Sequence, residues 1–482
     1  MDRTYYQLLP LKMTPFLLLG LGMAIVLLLV IWLKVHPFLA LIIAATVVSF
    51  ATPEKSLTSY AENYTQSQKN RGKMDELKAL QFKKDFAKLS SMKRVVQEFG
   101  GGCAKVGLII AFAALIGKCM LESGAASKVV MVALSIFGEK RAGLAFLCSG
   151  FILAVPVFFD TVFYLLIPIA IAMAHRTGGN YLFYVLCIVA GGTMAHSLVP
   201  PTPGPLLVAE EIGVDIGAMM FGGLGIGVFT VGFGYFYAKR VSGKFELKPP
   251  QLADSSLIDE KRMPSTFMSL LPVVLPVLLV TGGTLHGIFE PKGLNFLKVL
   301  GDKNLALGIS ALVAFFVLYK SCSGDKEKLK KSSSDAFSSG AVIVIITAAG
   351  AAFGGVLKQT DIATSIGSID GSQALALPVC FIITALVRTA QGSATVAMIT
   401  AAPIAAAFAS QELAFHPVYL ALAVGCGSKP IPWMNDSGFW VVTKMSGMQE
   451  SQTLRTVTPM MSLMGVFGLI IIVLSSLILP FK

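Results

Sequence analysis

Long apolar runs alternate with short polar stretches from one end of the chain to the other. The uncharged run Thr14–Leu33 has the length of one bilayer crossing, and so does Ile216–Ala238. Val35–Ala51 reads as a second helix, joined to the first at Lys34–Pro37. A polar insert follows, Thr52 to about Glu98. Its second half, Met74–Glu98, spaces apolar residues among lysines as an amphipathic helix does, at the lipid interface or on a solvated surface. Val106–Leu121 is the next apolar helix. Ala142–Ala174 is too long for one span and breaks near Pro156–Asp160, which suits two short helices with a tip inside the membrane. Tyr181–Val208 is interrupted by Pro200-Pro-Thr-Pro-Gly-Pro205, through which no regular helix runs.

After the polar stretch Lys239–Arg262 the pattern starts again. Ser265–Phe289 and Asn304–Tyr319 read as helices, Lys320–Ser334 as a lysine-rich loop and Ala341–Leu357 as a further helix. Two broken stretches, Leu375–Ser410 and Pro417–Val442, precede a last helix, Thr456–Leu479. Val157–Pro168 aligns with Gly392–Pro403, and Gly192 with Gly427 at the same spacing. Each half thus reads as three helices, a re-entrant hairpin, a broken helix and a final helix. A hairpin does not change sides, so each half crosses five times and the second is inverted. The expected fold is all-α and polytopic, with about ten transmembrane helices and two re-entrant hairpins in two inverted repeats. Residues 1–238 form the first repeat, 239–264 a linker and 265–482 the second.

Composition agrees with that pattern. Of 482 residues 55% are hydrophobic and 14% charged, and mean hydropathy is +0.73. Soluble domains carry about 25% charge. The net charge of +12 resides mostly in polar connections, so it bears on topology and not on nucleic acid. Lys239–Arg262 and Lys320–Ser334 hold six and five Lys/Arg and share one side, which places them in the cytoplasm. The insert would then lie outside, against its ten Lys/Arg, so its side stays open. The first apolar run has no small-residue cleavage site after it and reads as a retained helix. Seven cysteines without a CxxC pair suggest neither a disulfide nor a metal site. No P-loop or HExxH occurs, so an enzyme or a nucleotide-driven pump is not expected, and no cofactor is implied.

Candidate chemistry lies at the four breaks. Half-helix N-termini present unpaired N–H groups and partial positive charge, which suits an anion. Asp160, in Val155–Thr161, is either a protonatable coupling group or a helix cap. In Gly191–Pro205, His196 binds substrate, carries a proton or simply packs, and Thr202 and Ser197 offer hydroxyls. In Val387–Thr395, Gln391, Ser393 and Thr395 surround Gly392. Arg388 there pairs a carboxylate, locks the hairpin or snorkels. In Gly425–Trp440, Asn435, Asp436 and Ser437 stand together, and Trp433 and Trp440 read as site residues or interfacial anchors. The expected substrate site is Ser393, Thr395, Gln391, Arg388, Asn435, Ser437, Thr202 and His196, with Asp160 and Asp436 for a coupling ion. The glycines of Gly222–Gly234 read as close helix packing.

Pro200–Pro205, Arg388–Ala397, Asn435–Trp440 and Gly117–Ala126 resemble signature segments of the gluconate permease family, from about Phe99 to the C-terminus and over the first two helices. That resemblance implies a proton-coupled symporter of gluconate or a related sugar acid, within the ion transporter superfamily, with an elevator-type motion. Some family members take D-serine. Thr202 stands where members often have His, and Asp160 where they have Glu. The expected partners are a small organic anion, a coupling ion (H+ before Na+), lipid of the inner (cytoplasmic) membrane, and a second copy in a homodimer. The rival readings are a permease for D-serine or another small carboxylate, a sodium-coupled carrier and an anion channel.

Overall fold

The computed structural model describes residues 14–70, 74–250, 263–289, 295–362, 372–434 and 436–481. They are helical throughout, with no strand among them. The chain divides into two units: residues 1–102 with 348–372, and residues 103–347 with 373–482.

The first unit begins with α1 (Pro15–Leu27), which passes through a π-helical turn at Leu28–Trp32, and α2 (Pro37–Ala51). Both start on a proline, at a position where no helical N–H is needed. Thr52-Pro53 then turns the chain by 102° into α3 (Glu54–Asn70), so the polar insert opens as a helix. The expected amphipathic helix is α4 (Glu76–Ala87), shorter than Met74–Glu98 because α5 (Ser91–Glu122) already starts at Ser91. Tyr60 and Tyr64 of α3 stack on Phe82 and Phe86 of α4, which joins the two into a helical hairpin. The buried Arg94 donates to the carbonyl of Ser49 at 2.8 Å and ties α5 to α2.

In the second unit, α6 (Ala125–Phe137) fills a stretch left unassigned above. It is bounded by Gly124 and Gly138, both at positive φ. Thirteen residues are too few to cross a bilayer, which is why hydropathy alone passes over it. Then come α7 (Ala142–Leu153), α8 (Phe159–Thr177), α9 (Tyr181–Leu198), α10 (Pro203–Ile212) and α11 (Ile216–Ser242). The later elements are α12 (Thr266–Phe289), α13 (Asn295–Leu300), α14 (Lys303–Ser321) and α15 (Lys326–Lys358). The lysine-rich loop is therefore brief, since α15 begins inside it. The chain closes with α16 (Ser372–Gln391), α17 (Ala394–Ala409), α18 (Val418–Gly427), α19 (Ser437–Ser446) and α20 (Glu450–Ile478).

Eight helices among the described residues are long and apolar enough to cross a membrane, or nine if the bent pair α2–α3 counts as one. Several shorter apolar helices belong to the interrupted segments, among them α17 and α18. Burial divides the second unit into centre and rim. The most apolar window of α9–α10 is 89% buried, against 28% for α12 and 33% for α20. Phe229, Phe236, Leu312 and Leu477 are exposed, the surface that lipid would cover. Close packing explains Gly223 of α11, where a Cβ would lie 2.1 Å from the carbonyl oxygen of Leu198, inside any real contact, but not Gly225 or Gly232, which face open space.

Helix packing obeys a two-fold exchange. If α8 to α11 correspond to α17 to α20, then α10 against α17 matches α19 against α8. Likewise α11 against α18 matches α20 against α9, and α11 packs on its own counterpart α20.

Candidate functional site

Four breaks interrupt the central helices where the prolines and glycines fall. They are residues 154–158 before α8, 199–202 before α10, 392–393 before α17 and 428–436 before α19. Each break exposes the N-terminus of the following helix. Phe159 and Asp160 of α8, Pro203 of α10, Ala394 and Thr395 of α17, and Ser437 of α19 all border one cavity of about 430 Å³. Four helix N-termini thus meet at one cavity, with Asp436 capping that of α19 and two prolines withholding N–H groups at that of α10.

Arg388 organises the break between α16 and α17. Its Nε donates to the carbonyl of Ser428 at 3.1 Å. One terminal nitrogen donates to the carbonyl of Gly392 and the other pairs with the Asp436 carboxylate. The guanidinium is 3% exposed. Of the three roles open to Arg388, the geometry realises the lock: it joins α16, the turn at Gly392 and both ends of the α18–α19 break. Gly392 turns the chain at φ +87°, which a side chain would resist, and Ser393 caps α17 by accepting from the Val396 N–H. Asp436 serves twice, since its Oδ1 accepts from Gly438 N–H at 2.8 Å and caps α19. Trp433 closes the same corner, its ring N–H donating to Thr389 O at 2.8 Å.

The other sequence-chosen residues divide. Asp160, His196, Arg388, Ser393, Thr395, Asp436 and Ser437 line the cavity. Thr202 does not: its hydroxyl lies 2.8 Å from the carbonyl oxygen of His196 and 2.9 Å from that of Val199, so it closes the end of α9. Asn435 and the side chain of Gln391 lie outside the described residues. Asp160 has no hydrogen-bond or ion-pair partner among the described residues. The ring of His196 stands edge-on to Phe158 at 6.1 Å, and its Nδ1 is buried without a partner. The hydroxyl of Thr395 likewise has no partner among the described residues.

One charged lining residue is not among those the sequence singles out. Lys429, 1% exposed, lies in the α18–α19 break and donates to the carbonyl of Thr193 on α9 at 2.8 Å. Beside it Ser428 donates to Ser197 Oγ at 3.1 Å, so the α18–α19 break is bonded twice to α9 across the centre. Gly425 permits that approach, because a Cβ there would lie 2.5 Å from Ser197 O. The sequence signal is a single lysine between Gly427-Ser428 and Pro430 inside a break.

An all-helical membrane bundle whose central helices break around a cavity that holds charged side chains is the architecture of a transporter. The chain belongs to the GntP family of permeases, whose profile matches residues 86–478. It is 30% identical to a gluconate permease of Pseudomonas aeruginosa, over 92% of this chain and 94% of that one. It is also 30% identical to the Gnt-II system L-idonate transporter of Escherichia coli K12, over 95% and 98%. Among solved structures it shares its fold with the YdaH transporter of Alcanivorax borkumensis. That match has TM-score 0.59 and 14% identity, and covers 81% of this chain and 89% of that chain. The protein is accordingly a multi-pass transporter of the inner (cytoplasmic) membrane, and not an enzyme.

Proposed function

We propose that the protein is a secondary active symporter that carries gluconate or a related sugar acid into the cell together with a proton. The observation that carries this reading is the cavity itself. The buried Lys429 attracts an anion, while hydroxyls at Ser393, Thr395 and Ser437 suit a polyhydroxy chain. The names of the relatives, a gluconate permease and an L-idonate transporter, point to the same substrate class.

Charge balance supplies the argument for coupling. The charged side chains at the cavity are Asp160, Asp436, Arg388 and Lys429, two of each sign. Arg388 and Asp436 cancel as an ion pair. Lys429 and Asp160 then offset each other in the empty carrier. A carboxylate that enters alone leaves one uncompensated negative charge in an apolar setting, which is strongly unfavourable. A carboxylate that enters with one proton on Asp160 leaves the cavity neutral. The fully empty and fully loaded carriers are therefore the two forms able to cross. Helices α7–α10 and α16–α19 would move as one body in an elevator-type cycle, with the inverted repeats supplying its outward and inward forms.

Uptake of radiolabelled gluconate into proteoliposomes tests the reading. Wild-type protein is expected to accumulate it saturably under an inward proton gradient. Asp160→Asn should abolish pH-driven accumulation yet still exchange internal for external gluconate. Uptake that ignores the pH gradient and follows sodium would reject the proton, and downhill flux alone would favour a channel.

A further inference from the structure

Lys429 is the part of the cavity that the fold leaves unfinished. An ammonium has three N–H donors, and the structure engages one, with the carbonyl of Thr193. No carboxylate among the described residues lies within ion-pair distance of it. Arg388 is its opposite, because three of its nitrogens are bonded and Asp436 neutralises its charge. A buried cation without a directly bonded anion is costly, since Asp160 offsets it only at a distance, and a carboxylate bonded to it would relieve that cost.

A second observation points to the same place. Thr193 stands one helical turn before His196 on α9, so the ammonium docks beside the turn that carries the imidazole. The Nδ1 of His196 is buried and unpartnered, and His196 lines the same cavity. The ring is held edge-on by Phe158 and cannot turn away without losing that contact.

We propose that Lys429 is the specificity residue of the site. It takes the substrate's carboxylate as a charge-assisted pair, and the N–H of His196 Nδ1 supplies a second hydrogen bond to the same group. The assignment rests on the sugar-acid reading and names the group that enforces it. A neutral polyol, lactone or amide of the same chain length would leave Lys429 buried and unpaired. The site would then reject it more strongly than any loss of attractive contact predicts. The hydroxyls contributed by α17 and α19 read the sugar chain, and Lys429 reads the charge.

Binding to the purified full-length protein, followed by calorimetry, tests this with two probes: gluconate and gluconamide, its neutral amide. The decisive variant is Lys429→Gln, which keeps an N–H donor on a side chain one atom shorter and carries no charge. Wild-type protein should bind gluconate and discriminate against gluconamide. In Lys429→Gln the affinity for gluconate should fall about ten- to 150-fold. Gluconamide should bind no worse than before, so the discrimination collapses. The thermal midpoint without ligand should not drop, because a buried charge has been removed. Lys429→Arg should retain the preference for the anion. A Gln variant that binds gluconate as the wild type does, or that fails to fold, overturns the assignment. Wild-type protein that binds neither probe would instead reject the sugar-acid reading.

Discussion

Arg388 and Asp436 form an ion pair at the edge of the cavity. The pair is almost fully buried, and it spans from the turn at Gly392 to the cap of α19. Truncating one partner of such a pair costs about 3–5 kcal/mol, because the other charge stays buried and alone. Arg388→Ala is therefore expected to lower the thermal midpoint sharply and to reduce the yield of folded protein in detergent. Arg388→Lys should not rescue it, since one ammonium cannot replace three anchored nitrogens. Thermal unfolding of the purified variants is the check, and an Arg388→Ala protein of wild-type stability would refute the lock. Asp160 and Thr395 were legible in the sequence because a polar residue between apolar neighbours at a break has few structural uses. Lys429 was not, because lysines at span ends usually snorkel to the interface. Its depth depends on α18 meeting α9, which is a tertiary fact.

At the scale of elements, Thr202 and Thr395 look alike in sequence, each a threonine at a helix break. They differ in the structure: the hydroxyl of Thr202 is committed to the backbone of α9, while Thr395 lines the cavity and its hydroxyl has no partner among the described residues. Thr202→Val should cost about 1 kcal/mol of stability, the contribution of an ordinary hydrogen bond, and leave gluconate affinity unchanged. Thr395→Val should do the reverse, with stability kept and affinity reduced about tenfold. Paired thermal unfolding and calorimetry separate the two, and an affinity loss confined to Thr202→Val would reverse these roles. The breaks themselves were legible because proline and glycine act locally. The start of α15 was not, because a run of lysines and serines looks like loop until a helix continues through it. The helix α6 was missed because a short apolar helix supported by tertiary packing has no span-length signature.

For the whole molecule, the cavity draws on both halves of the sequence: Asp160 and His196 from the first, Thr395, Lys429 and Ser437 from the second. The exchange of α10 on α17 for α19 on α8 places the four helix ends around one point, so neither half holds a site alone. The central claim is that the transported anion occupies this point. Substrate protection of a single cysteine tests it most directly. The seven native cysteines are replaced and Thr395→Cys is introduced in a background that still transports. Its rate of modification by a small, membrane-impermeant thiol reagent is then measured with and without gluconate. Saturating gluconate should slow modification at least tenfold, with half-protection at the concentration that half-saturates uptake, and gluconamide at the same concentration should protect far less. Modification at one rate with and without gluconate, in protein that still transports it, would place the substrate elsewhere.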